Sequence, residues 1–240
     1  MTTPMIEICV DSPASIAAAA QGGADRLELC AALPLGGLTP GVGLMAAARS
    51  TGLPIAAMAR PRAGGLVLDP EDLTALLVDI SALVDNGADA IVCGACTAEH
   101  ALDVAAMSAM VETAGDIPVV LHRAIDLVAD WHSALESAVD LGIRRILTSG
   151  GASTAATGLD RIAAMVEAAG GRIEIMAGGG IRPEHVADIA CLGIDAIHGS
   201  ASQPGKAHSA EAIGIPPHSE TSVDLVRAMR RALTDAGAVA

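Results

Sequence analysis

The chain has 240 residues, 52% of them hydrophobic, and its 14 basic against 28 acidic side chains leave a net charge of −14. Such acidity makes a poor partner for phosphate backbones and anionic membranes, so neither nucleic acid nor a membrane is expected as a partner. The opening MTTPMIEICV lacks the basic start and long apolar core of a signal peptide, so no export signal is expected, and no apolar run reaches the roughly 18 residues of a membrane span. Five cysteines without such a signal read as reduced thiols, which predicts a cytoplasmic location. Phe and Tyr are absent, Trp131 stands alone, and Lys206 is the only lysine.

The first predicted strand, Met5 to Val10, alternates. Ile6, Ile8 and Val10 share one face, while Glu7, Cys9 and Asp11 share the other. Ser12-Pro13 then starts a helix near 13–22. Gly23-Ala24-Asp25-Arg26-Leu27 supplies a helix-ending glycine and a second strand, in which Leu27 and Leu29 oppose Arg26, Glu28 and Cys30. Apolar faces toward helices and polar faces toward a lumen fit a closed barrel with a charged interior. Because buried charges cost several kcal/mol unless paired, Arg26 and Glu28 are expected to pair there. Cys9 and Cys30 fall on the same lumen register of adjacent strands, and paired soft thiolates suit Cu(I).

A helix around 41–51 and a strand Pro54 to Met58 lead into Arg60-Pro61-Arg62-Ala63-Gly64-Gly65, whose two arginines could clamp an anion. Asp69-Pro70 starts a helix over 70–86, followed by Gly87-Ala88-Asp89-Ala90-Ile91. Cys93-Gly94-Ala95-Cys96 with His100 has a metal or redox spacing, but no second ligand pair supports a zinc site. After a helix over 101–114, the strand Pro118 to Leu121 runs into His122-Arg123-Ala124-Ile125-Asp126. A parallel strand covered on both faces should stay apolar, so these polar groups point to function. His122 suits proton transfer, and Asp126 could orient it or bind a metal.

A helix over 130–141 precedes Gly142-Ile143-Arg144-Arg145-Ile146 and the turn Thr148-Ser149-Gly150-Gly151. A helix over 155–169, a strand Ile173 to Met176, the turn Gly178-Gly179-Gly180 and a helix over 183–192 follow. Gly193-Ile194-Asp195-Ala196-Ile197 then leads to His198-Gly199-Ser200. Glycine-rich turns at strand ends expose backbone N–H groups, which predicts a phosphate or anion site. Its members would be Ser149, Gly150, Gly179, Gly180, His198 and Ser200, with Arg62 from the third loop. The Pro/Gly-rich stretch 203–219 reads as an irregular loop, a lid or an oligomer contact, before a last helix over 221–236.

The four glycine repeats are spaced by two strand–helix units each, and the intervening strands complete a count of eight. The predicted fold is a single (β/α)8 TIM-type barrel over residues 1–240, with a doubly wound open sheet as runner-up. With Lys206 as the only lysine, neither a Schiff-base lysine nor a nucleotide cofactor is expected.

The segments IEIC at 6–9, GADRLELCAA at 23–32, GGLTP at 36–40, RPR at 60–62, HRAID at 122–126, LTSG at 147–150 and AGGGI at 177–181 together resemble the CutC family, named for copper homeostasis. The resemblance implies a cytoplasmic TIM-type barrel that forms homo-oligomers, a dimer or tetramer. It implies Cu(I) ligands at Cys9 and Cys30 and a lumen pocket of Glu7, Arg26, Glu28, Arg60 and His122. Two functions follow as expectations. One is copper handling without turnover. The other is an enzyme acting on a small anionic metabolite, with His122 and Glu28 or Glu7 moving protons and Arg60 and Arg62 holding the anion.

Overall fold

The computed structural model describes residues 3–205 and 218–237. Lys206 and most of the predicted loop lie outside the described residues. The eight strands are β1 (Met5–Val10), β2 (Arg26–Leu29), β3 (Ile55–Met58), β4 (Ala90–Cys93), β5 (Val119–Leu121), β6 (Arg145–Thr148), β7 (Glu174–Gly178) and β8 (Ala196–Gly199). They pair in chain order, all parallel, and β8 closes on β1, so the sheet is a barrel and not an open one. Around it lie α1 (Pro13–Gly22), α2 (Val42–Arg49), α3 (Pro70–Asp85), α4 (Val104–Ala114), α5 (Trp131–Asp140), α6 (Leu159–Ala169), α7 (Val186–Ala190) and α8 (Val223–Gly237). None of the described helices is long and apolar enough to cross a membrane.

Local chemistry sets these boundaries. Side chains of Ser12, Asp69, Asp103 and Asp130 each accept a backbone N–H in the first turn of the helix that follows. Asp103 therefore starts α4 at Val104, three residues later than the predicted 101. Gly158 interrupts the predicted 155–169 helix, leaving a 3₁₀ turn before α6. The predicted 183–192 helix shrinks to a 3₁₀ turn plus the five residues of α7. Gly23, Gly87, Gly142 and Gly193 all have positive φ, as helix-ending residues require.

The strand alternation appears as two apolar layers. Ile6, Ile8, Val10, Leu27 and Leu29 point outward into the core beneath the helices, where full burial of such a side chain contributes about 1.5–3 kcal/mol. The lumen is lined by smaller or flexible groups, including Ala56, Met58, Ala90, Val120, Met176 and Ala196. The expected Arg26–Glu28 pair does not form. The register sets Glu7 directly beside Arg26 and Cys9 beside Glu28, so the guanidinium reaches sideways to Glu7. After β8 the chain is also more regular than expected. Ser202–Pro204 (β9) and Ser219–Thr221 (β10) form an antiparallel ladder, and Thr221 N–H donates to Ser15 Oγ at 3.1 Å.

Candidate functional site

The carboxyl ends of the strands open onto a cavity of about 510 Å³, into which Cys9, Glu28, Arg60, His122, Arg123 and His198 project. Its floor is a chain of buried polar groups. Arg26 donates to Glu7, and the other Glu7 oxygen meets His198 Nδ1 at 2.8 Å. Burial alone would raise the Glu7 carboxyl, but the His198 hydrogen bond and the Arg26 charge hold it down at about 2. The other ring nitrogen, His198 Nε2, lies 3.7 Å from Glu28 Oε2. Cys9, Glu28 and His198 each offer a ligand atom, and these atoms lie within 4.8 Å of one another. Burial raises Glu28 more than His198 lowers it. Burial opposes protonation of His198, yet Glu28, Cys9 and Glu7 outweigh it and raise the imidazole well above its ordinary value. Glu28 Oε1 is buried with no hydrogen-bond partner.

Cys30 is outside this cluster. Its thiol is fully buried, donates to Glu28 Oε2 at 3.4 Å, and is pushed up by burial and by Glu28. The Cys93/Cys96 motif does not form a cluster with His100 either. Cys93 packs in the outer core and Cys96 Sγ donates to Ala124 O at 3.6 Å.

The two arginines of the third loop part company. Arg60 reaches the cavity, where its guanidinium donates to the carbonyls of Leu35, Gly37 and Gly64. Arg62 turns away, with its side chain 42% exposed and paired with Asp72, so it joins no anion clamp.

His122 and Asp126 also separate in role. His122 Nδ1 accepts the Ala124 N–H at 3.2 Å, and burial together with the Arg60 charge lowers the ring to about 4. Asp126 does not orient it. One Asp126 oxygen takes Thr148 Oγ1–H at 2.6 Å and Gly151 N–H at 2.9 Å, while the other takes Ser149 N–H at 3.0 Å and Ser149 Oγ–H at 2.9 Å. Arg123 Nε completes the set at 2.9 Å. Burial would raise this carboxyl, but these donors lower it. Asp126 thus organises the turn after β6.

That turn is closed rather than open to a ligand. Ser149 is fully buried, and a Cβ on Gly150 would strike the Gly158 carbonyl. Gly179, Gly180 and Ser200 do line the cavity, and His198 moves from the expected phosphate loop into the floor cluster. Sequence reasoning placed His198 in a phosphate loop and missed it as a metal-ligand candidate, and it flagged Arg123 among the polar groups after β5 without assigning it a role. The signal for His198 was its place on β8 beside Glu7, which requires knowing that β8 pairs with β1.

Comparison with known proteins places this geometry in context. The CutC family profile matches residues 4–203. A family protein CutC of Caulobacter vibrioides is 49% identical over 201 residues, covering 83% of this chain and 82% of its own length. One from Rhizobium meliloti is 41% identical over 97% of both chains. Among solved structures, a CutC from Streptococcus agalactiae, named for copper homeostasis, superposes with a TM-score of 0.78 at 30% identity, covering 82% of this chain and 98% of that one.

Proposed function

The chain belongs to the CutC family, and we propose that it binds a soft metal ion at the floor of its barrel, with copper the ion for which the family is named. Cys9 and His198 would hold the ion, with Glu28 as third donor. The observation that carries this reading is the convergence of a thiol, an imidazole and a carboxylate within 4.8 Å, all buried, beside an unpartnered Glu28 oxygen. Thiolate and imidazole are donors that Cu(I) accepts, and a bound ion would satisfy the orphaned carboxylate.

Glu7 acts behind them. Its contact with His198 Nδ1 orients the ring, leaving Nε2 on the side of Glu28, as carboxylates behind metal-bound histidines do. Both the thiol and the raised imidazole must lose protons before binding. Affinity therefore rises with pH through the neutral range and falls on acidification.

The test is titration of the reduced protein with Cu(I) against a competing chelator. Cys9→Ser and His198→Gln should each weaken binding by more than the roughly 10–100-fold typical of changes behind a ligand. Cys30→Ser should leave it unchanged. Wild-type affinity in Cys9→Ser would sink the proposal, because a different site would then be holding the ion.

A further inference from the structure

The opposite wall of the cavity carries a cation with no counter-ion. Arg26 has Glu7, Arg123 has Asp126 and Arg145 has Glu174, but Arg60 has no carboxylate within ion-pair reach among the described residues. Three carbonyls fix it instead: Leu35 at 2.9 Å, Gly37 at 3.1 Å and Gly64 at 2.8 Å. Its Nε–H is buried and finds no acceptor. The guanidinium is only partly buried and its partners are neutral carbonyls, so its charge is held in place without being neutralised.

His122 faces the same space across β4. Because Nδ1 accepts the Ala124 N–H, the hydrogen of the neutral ring sits on Nε2. No acceptor for that Nε2–H is found among the described residues. Gly94 permits the placement, since a Cβ there would lie 2.6 Å from the imidazole. One wall thus presents an imidazole N–H without an acceptor and an arginine whose charge no carboxylate neutralises. Around the mouth, Leu33, Leu35, Leu66 and Leu127 present apolar surface, Leu35 and Leu127 being 55% exposed.

We propose that Arg60 and His122 form an oxyanion site for a small organic molecule, gripping its carboxylate or phosphate while its apolar body lies on the leucines of the mouth. The cavity of about 510 Å³ falls within the range of small-molecule pockets and exceeds what a lone ion fills. Arg60 makes no hydrogen bond to Cys9, Glu28 or His198, so the site stands whether or not the floor binds metal.

The test is calorimetric titration with hexyl phosphate, hexanoate, hexanol and inorganic phosphate. One or both amphipathic anions should bind more tightly than hexanol and than inorganic phosphate, and the stronger of the two identifies the preferred head group. Arg60→Gln should weaken that binding at least about tenfold, the effect of losing one charge-assisted hydrogen bond. Arg62→Gln should leave it unchanged. A second measurement does not depend on the variant folding. In the wild type, the bound anion should slow iodoacetamide alkylation of Cys9, which lines the cavity, and not that of exposed Cys191. Hexanol binding as well as the anions, Arg60→Gln retaining full affinity, or Cys9 gaining no protection relative to Cys191 would each overturn the proposal.

Discussion

A carboxylate with no solvent exposure, such as Glu7, survives only because its two oxygens are divided between Arg26 and His198. His122 solves the opposite problem by staying neutral. Its pKa is lowered from 6.5 to about 4, so between those values the unfolded chain binds a proton that the native ring refuses. The corresponding stability is fully present above pH 6.5 and is lost as pH falls toward 4, by about 3 kcal/mol in all. His122→Gln should remove this component. Urea unfolding at pH 7 and at pH 4.5 should show a smaller acid loss in the variant than in the wild type. Equal losses would mean that His122 titrates normally.

At the level of elements, the turn after β6 is tied to the turn after β5 through one side chain, in addition to the ladder between the two strands. Asp126, in the 3₁₀ turn after β5, collects donors from Thr148, Ser149 and Gly151 and so holds the turn that follows β6. Removing the carboxylate strands all of them in a buried setting. Asp126→Ala should cost about 3–5 kcal/mol, the range for breaking a buried charged network from one side. Hydrogen exchange at Ser149 and Gly151 should accelerate ahead of the rest of the barrel. Unaltered exchange there would show that the turn holds itself. Gly150 adds a backbone reason for the same shape, since its φ is +71° and its neighbour is the Gly158 carbonyl.

For the whole molecule, closure involves its two ends. The last helix, α8, packs on α1 as well as on α7, and Arg230 donates to the Gly23 carbonyl at 2.7 Å, a cation at the carboxyl end of α1. Gly22 makes this contact possible, because a Cβ there would lie 2.6 Å from Val226 Cγ1. Gly22→Ala should therefore destabilise by about 1–3 kcal/mol through overpacking and loosen α8 first. Gly43→Ala, in α2 with open space around it, should stabilise by roughly 0.5–1 kcal/mol from helix propensity alone. Thermal unfolding of the two variants checks both signs. If they shift alike, the α1–α8 contact is not limiting.

The barrel was legible because its signals are local. Period-two alternation in Met5 to Val10 and in Arg26 to Cys30, helix-ending glycines and Asp or Ser caps all act within a few residues, and they specified eight units and the faces that β1 and β2 turn inward. The same alternation was enough to put Glu7, Cys9 and Glu28 at the lumen, and polarity at the end of an otherwise apolar strand singled out His122. Partners within the lumen were not legible, because they depend on register between strands far apart in the chain. Arg26 met Glu7 instead of Glu28 through a sideways pairing, and His198 joined Cys9 and Glu28 because β8 closes on β1, 191 residues from Glu7 to His198. Arg60 and Arg62, two residues apart, went to opposite sides of their loop because carbonyls captured one and Asp72 the other. The sequence by itself determined the eight alternating strand–helix units and the inward faces of the first two strands, while closure of the sheet came from the pairing of β8 with β1. Only the tertiary structure decided which inward residues meet, since ion pairs and ligand clusters depend on angstrom-scale distances that barrel closure creates.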